Sequence, residues 1–251
     1  MHHRMLTTIK HRLATNYYLW KLYHFLVTDA NSMLWITSAG IVLRYLGRSP
    51  GVVCDIGCGA GMYTRYLAKH AEKVVCIDVP GSGLIRVKAR HNKKNNVTFC
   101  YSYLEGRNSL PFPDGTFDTI LLLQVLEHIK DDLEALMEIR RLLRPGGRLV
   151  CSVPVPPGYI DDEVANPYGH KREGYTLSDL KALIASAGLK LTDYEYCWLI
   201  FSRLVLKAYE WFVAHFKIKP PSPFQLPMYL DLVLKDKEKH LPYMLVSKAV
   251  R

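Results

Sequence analysis

Between residues 52 and 153 short apolar runs alternate with stretches whose apolar residues recur every three or four positions. "GVVCDIG", "KVVCIDV", "VTFCY", "DTILLLQ" and the end of "PGGRLVCSVPV" have the length and composition of strands, apolar on both faces. The segments between them have helical spacing: "AGMYTRYLAKH", starting directly after a glycine turn, then "LIRVKARHNKKN", then "KDDLEALMEIRRLLR" with Leu133, Leu136, Met137 and Leu143 in step. Strands alternating with helices predict an α/β domain, an open and mostly parallel sheet covered by helices on both faces.

The flanks read differently. Residues 9–47 predict helices in at least two pieces, broken near "TDANS", so 1–47 is expected to be an amino-terminal helical lid and 48–251 the main domain. In "TLSDLKALIASAGLKLTDYEY" either Thr176 or Ser178 can cap a helix that Gly188 ends, with a strand following. Residues 200–217 predict an amphipathic helix, with Phe201, Leu204, Val205, Ala208, Phe212 and Phe216 opposite Arg203, Lys207 and Glu210. Its apolar side suits packing on the domain or contact with a membrane or lipid-like substrate, and Trp198 and Trp211 suit an interface. With the proline-rich "KPPSPFQLPM", read as a stiff loop, it makes 198–230 a helical insertion before a last strand in "PYMLVSKAV".

Composition narrows the setting. The 251 residues are 49% hydrophobic, enough for a substantial core. No apolar stretch reaches the roughly 20 residues of a spanning helix, and the basic amino end lacks a signal-peptide cleavage site. The expected location is cytoplasmic, with peripheral contact at the inner membrane face allowed through 198–217. A net charge of +10 permits an acidic partner, but the bases are dispersed and the runs at 86–94 and 235–239 are short, which argues against nucleic acid. Six dispersed cysteines fit a reducing compartment. Cys54 and Cys58 lack a second close ligand pair, so no metal site is expected. The oligomeric state is left open.

The candidate chemistry begins at "VVCDIGCGAGMY", where Asp55 precedes Gly57, Gly59 and Gly61. A glycine turn at the carboxyl end of a parallel strand lets a ligand approach bare main chain, and a following helix would add amides. The spacing G-x-G-x-G departs from the dinucleotide pattern, and no triphosphate-binding G-x-x-x-x-G-K-[ST] is present. Asp78 ends the second strand, where an acid can accept both hydroxyls of a ribose.

Four ordered segments, "VVCDIGCGAGMYTRYLA", "VVCIDV", "SLPFPDGTFDTILLLQVLEHIKD" and "ALMEIRRLLRPGGRLVCSVP", resemble the class I S-adenosylmethionine-dependent methyltransferases over most of residues 50–195. Within them the chain looks most like the small-molecule branch of ubiquinone and menaquinone biosynthesis. The resemblance implies a Rossmann-like fold and S-adenosyl-L-methionine as cofactor. It implies that Asp55 orients the amino-acid amine, that Gly57, Cys58, Gly59 and Gly61 seat the methionine and sugar, and that Asp78 with Val79 takes the ribose. Gln124 and Val125 would line the methionine end, with Glu127 and His128 at its rim, and Asp118 would be structural. The adenine contact is expected in "CYSYLEGRNSLPF", around Tyr103, Leu104 and Glu105; the acid that relatives carry there aligns with Tyr103 or Glu105.

For the acceptor, His170 in "NPYGHKREGYTLSDL" and His128 are the candidate catalytic bases, although His128 also suits a cap or packing role. Tyr168, Arg172 and Tyr175 share the His170 loop, and Arg172 could instead recognise an anionic substrate. Tyr17 and Tyr18 could cover the cofactor or sit in a core. "LQVLEH" lacks the Pro-Pro-aromatic and Pro-Cys arrangements of enzymes that methylate nucleobases. The expected reaction is methyl transfer to a small or lipid-like acceptor, at oxygen. An RNA methyltransferase and a non-catalytic domain that keeps the cofactor fold are the competing readings.

Overall fold

The computed structural model describes residues 30–91, 94–156, 170–216, 222–240 and 242–251. They divide into two compact units: Val42–Glu195 with Tyr243–Arg251, and Tyr196–Pro242 with the chain up to Ile41.

The larger unit is built on β1 (Val52–Ile56), β2 (Lys73–Asp78), β3 (Val97–Tyr101), β4 (Phe117–Leu123), β5 (Leu143–Pro154), β6 (Lys190–Cys197) and β7 (Met244–Val250), in the order β3-β2-β1-β4-β5-β7-β6. β1 to β5 pair in parallel and β7 runs antiparallel to β5. The chain builds outward from β1 to β3 and then returns to β4 on the other side of β1. The strand order therefore reverses between β1 and β4, where such sheets leave a crevice at their carboxyl ends. The central strands carry the core, with Val53, Cys54, Ile120, Leu121 and Leu122 inaccessible to solvent, as their two-sided apolar runs require. β3 and β6 are edge strands and half open to water, which their shorter apolar content already shows.

α1 (Ala30–Leu46) precedes β1, and α2 (Thr64–His70), α3 (Leu84–His91), α4 (Asp132–Leu142) and α5 (Leu177–Ser186) are the connecting helices. α2 starts later than the sequence suggests. Turns occupy the residues before Thr64, because Gly61 at φ 75° cannot continue a helix. α4 buries Ala135, Leu136, Ile139 and Leu142, the predicted face. β5 opens at Leu143, ahead of Pro-Gly-Gly, and its register with β4 shifts between Phe117 and Thr119. The Pro-Gly-Gly thus forms an irregularity inside the strand rather than a stop before it. Thr176 is the cap of α5, in a reciprocal box with Asp179, and Gly188 at φ 75° follows its end.

In the smaller unit α6 (Ile200–Phe216) packs with a 3-10 segment, Ser222–Val233. The carboxylate of Asp231 accepts from the amides of Phe201 and Ser202 at 3.0 and 2.9 Å, satisfying donors at the start of α6. One expectation needs correcting. The described part of the proline-rich stretch is 3-10 turn, with Pro227 inside it, rather than loop. The buried side of α6 includes Ser202 and Val205, while Leu204, Ala208 and Phe216 are exposed. Among the described residues no helix is long and apolar enough to cross a membrane. Tyr17, Tyr18 and Tyr168, and residues 1–29 of the expected lid, lie outside the described residues.

Candidate functional site

At the carboxyl ends of β1, β2 and β4 a cavity of about 670 Å³ opens in the larger unit. Ile56, Gly57, Ile77, Asp78 and Val79 form one side. The segments 102–105 and 128–131 line it too, with Gln124, Val125 and Lys171. Eight of the twelve residues assigned to the cofactor by sequence therefore share one wall system: Gly57, Asp78, Val79, Tyr103, Leu104, Glu105, Gln124 and Val125. Both candidates for the adenine contact, Tyr103 and Glu105, line it.

The three glycines turn out to do different things. Gly57, at φ 71°, donates to the Ile77 carbonyl at 2.8 Å, and a Cβ there would run into Val125 Cγ2. Gly61 faces Val87, 2.6 Å from where its Cβ would stand, so it seats the turn on α3. Gly59 alone has open space where a side chain would go. Its amide is held by the second-strand acid: Asp78 Oδ2 accepts from Gly59 at 2.6 Å, and Oδ1 from Val79 at 2.7 Å. With α2 beginning only at Thr64, this turn rather than a helix end supplies the amides near Asp78.

Asp55 and Cys58 lie behind the wall. Asp55 is buried, and burial, reinforced by the Asp78 carboxylate, pushes its carboxyl up to about 7. A hydrogen bond with Cys76, together with burial, pushes the Cys58 thiol up, so it is an inert small side chain. Asp118 is structural, as expected: it accepts from the Val52 amide at 2.7 Å and pairs with Arg144 at 2.8 Å.

At the far end Gln124 adopts φ 55°, with its amide bonded to the Ser152 carbonyl at 2.9 Å. A non-glycine residue there is strained, and the turn is fixed by what surrounds it. It leads into a 3-10 turn, Leu126–His128. The expectation that Glu127 stands at the rim is corrected. Its side chain is 1% exposed, neither oxygen has a hydrogen-bond partner, and burial pushes it up to about 7. Because the turn has three residues, Glu127 points inward while His128 faces the cavity.

His170 is absent from the cavity wall but meets His128, ring centroids 4.7 Å apart and nearly perpendicular. The Glu127 carbonyl accepts from the amides of Lys171 and Arg172 at 2.8 and 3.2 Å, anchoring the His170 segment to the turn. One ligating atom each from Glu127, His128 and His170 lies within 4.8 Å of the others. Arg172 is committed elsewhere, to Asp132 at 3.2 Å and over the Tyr175 ring at 4.4 Å. Tyr175 is fully buried and donates to Asp132 at 3.0 Å. Both side chains tie the His170 segment to Asp132 at the start of α4. Sequence reading missed Ile56, Ile77, Ser102, Lys171 and the run 129–131, which line the cavity by adjacency and carry no motif of their own.

Residues 54–151 match the family model of a methyltransferase domain. An uncharacterised methyltransferase of Schizosaccharomyces pombe is 33% identical over 122 residues, 46% of this chain and 44% of its own. A ubiquinone biosynthesis O-methyltransferase of Xanthomonas euvesicatoria is 27% identical over 152 residues, 56% of this chain and 63% of its own. The chain thus spans roughly half the length of these curated relatives. Among solved structures, an S-adenosylmethionine-dependent methyltransferase from Mesorhizobium loti superposes with a TM-score of 0.61 at 19% identity, over 88% of this chain and all of that one, a likeness of fold.

Proposed function

Starting from a chain that carries a class I S-adenosylmethionine-dependent methyltransferase domain, we propose that it transfers a methyl group to the hydroxyl of a small or lipid-like acceptor. The observation that carries the reading is the continuous cavity from Asp78 and Glu105 at one end to Gln124, Val125 and His128 at the other.

S-adenosylmethionine is the cofactor of this domain family, and the residues present fit it. Asp78, already oriented by the amides of Gly59 and Val79, takes the ribose hydroxyls on its remaining lone pairs. The open side of Gly59 admits the ligand against bare main chain. Tyr103, Leu104 and Glu105 hold the adenine, and Glu105 can accept its amine. Gln124 and Val125 border the methionine end, and Asp55 steadies the turn from behind.

When bound, the cofactor supplies an electrophilic methyl on a sulfonium. The chain's own task is alignment, and for a hydroxyl the disposal of a proton. His128 and His170 stand at the acceptor end for that purpose. Oxygen as the target is supported by those two imidazoles and by the named activity of the Xanthomonas relative.

Separate titrations with S-adenosylmethionine and NADH test the cofactor: stabilisation by S-adenosylmethionine is expected, and a response to NADH alone would overturn the reading. A screen of phenolic and lipid extracts with methyl-labelled cofactor then identifies the acceptor. Label appearing only in RNA would replace the small-molecule reading.

A further inference from the structure

We propose that the acceptor carries an oxyanionic group, a carboxylate or a phosphate, besides the hydroxyl that takes the methyl, and that Lys130 and Lys171 bind it. The inference rests on the methyltransferase reading and adds the class of acceptor to it.

Charge is segregated along the cavity. Where the ribose and adenine are assigned, the charged groups of the wall are the carboxylates of Asp78 and Glu105, which suit a ligand face made of O–H and N–H donors. Beyond Gln124 and Val125 the wall continues through His128, Lys130, Asp131 and Lys171, so this end sets two lysines against one carboxylate. The lysines come from separate segments that the fold brings to one mouth. The Lys171 amide donates to the Glu127 carbonyl at 2.8 Å, which ties its segment to the 3-10 turn that Lys130 closely follows.

The base next in sequence is already answered: Arg172 pairs with Asp132 and lies over the Tyr175 ring. Lys130 and Lys171 differ. Both are exposed, and among the described residues neither side chain enters an ion pair or a hydrogen bond, Asp131 included. Two unanswered ammonium groups at the mouth of a cavity draw an anion toward it and hold it there. Lysine acts as a mobile point charge without the fixed fork of arginine, so a carboxylate and a phosphate both satisfy the pair. An acceptor with no charge of its own would leave both groups facing only water.

The test uses the full chain, methyl-labelled S-adenosylmethionine and an extract of small molecules and lipids freed of nucleic acid, with the labelled product passed over a strong anion exchanger at pH 8. Methylation removes the ionisable proton of the hydroxyl, and unreacted S-adenosylmethionine is not anionic, so retained label reports a second, charged group. Retention is expected, and the accurate mass of the retained product tells a carboxylate from a phosphate. With the acceptor so identified, Lys130→Gln and Lys171→Gln are each expected to raise KM about threefold, and together at least tenfold, by more than they lower kcat. The double variant Lys130→Arg, Lys171→Arg keeps the charges and is expected to stay within about threefold of the parent. S-adenosylmethionine affinity, followed by calorimetry, is expected to change by less than about threefold in all of them. Labelled product that passes unretained, an unchanged KM in the double Gln variant, or a loss of cofactor affinity in place of acceptor affinity each overturns the proposal and leaves the methyltransferase reading standing. No labelled product from any extract would overturn the transfer reading, and this inference with it.

Discussion

Asp78 grips Gly59: the carboxylate that ends β2 accepts the amide of the glycine turn after β1 at 2.6 Å. Two adjacent parallel strands thereby fix each other's carboxyl ends before any ligand arrives. Asp78→Ala removes this tie and the acceptor for a ribose in one change. Loss of two hydrogen bonds to a charged group is worth about 3 kcal/mol or more, so calorimetry is expected to show S-adenosylmethionine binding weakened roughly 100-fold. Unchanged affinity would refute the ribose assignment.

The glycines of the turn separate by what surrounds them. Gly57→Ala meets Val125 and an unfavourable φ, so it is expected to lower the stability of the protein alone by about 2 kcal/mol or more. Gly59→Ala meets nothing and is expected to cost only about 1 kcal/mol, for its φ of 53°. Its cofactor affinity should nonetheless fall at least tenfold, because the added methyl occupies the open side. Denaturant titrations with and without S-adenosylmethionine decide it, and equal behaviour of the two variants would contradict this division of roles.

Asp55 gives the site a pH signature. Its carboxyl is raised to about 7 from an unfolded value near 4 by burial and by Asp78. Folding therefore takes up a proton between those values. The stabilisation is complete below about pH 4 and is lost as pH rises to about 7, amounting at most to about 4 kcal/mol. Asp55→Asn, which stays neutral, is expected to be more stable than the parent at pH 8 and to lose most of that advantage by pH 5. Thermal unfolding across that range checks it, and a pH-independent difference would count against a buried carboxylate under strain.

The order of elements was legible because each central strand is apolar on both faces and each helix has one apolar stripe; β1 and α4 illustrate the two patterns. The glycine turn and Asp78 were legible for another reason, their chemistry being local in sequence. What failed depended on detail that periodicity does not carry. The first turn after Gly61 stays non-helical because of one φ angle, and Glu127 faces inward as the middle residue of a three-residue 3-10 turn. Which part of the apolar side of α6 is covered was not legible for a third reason: Leu204 and Val205 are equally apolar, yet only Val205 is buried.

Glu138 and Arg141 form a structural counterpart to the site on α4. Glu138 is solvent-inaccessible, and its two oxygens accept the amides of Asn108 at 2.7 Å and Leu110 at 3.1 Å. Arg141 pairs with it at 2.7 Å and extends to Asp114 and the Phe112 carbonyl. The loop from β3 to β4 is thus pinned from Asn108 to Asp114 to one turn of helix. Against its burial, the Arg141 guanidinium and the two amides hold the Glu138 carboxyl below its usual range. The sign is opposite to that of Asp55: the stabilisation is present above the unfolded carboxylate value and is lost as pH falls through the lower folded one. Glu138→Ala leaves Arg141 and two amides unanswered, and is expected to destabilise by about 3–5 kcal/mol at pH 7. Glu138→Gln keeps the shape, loses the charge and is expected to cost less, about 1–3 kcal/mol. Both penalties should shrink toward pH 3, as the parent protein itself takes up the proton. Cofactor affinity extrapolated to the folded state should change little in the Gln variant, since the network touches none of the cavity wall. Urea titrations at pH 7 and pH 4 measure the effect, and penalties that grow on acidification would show that Glu138 is not held as an ion.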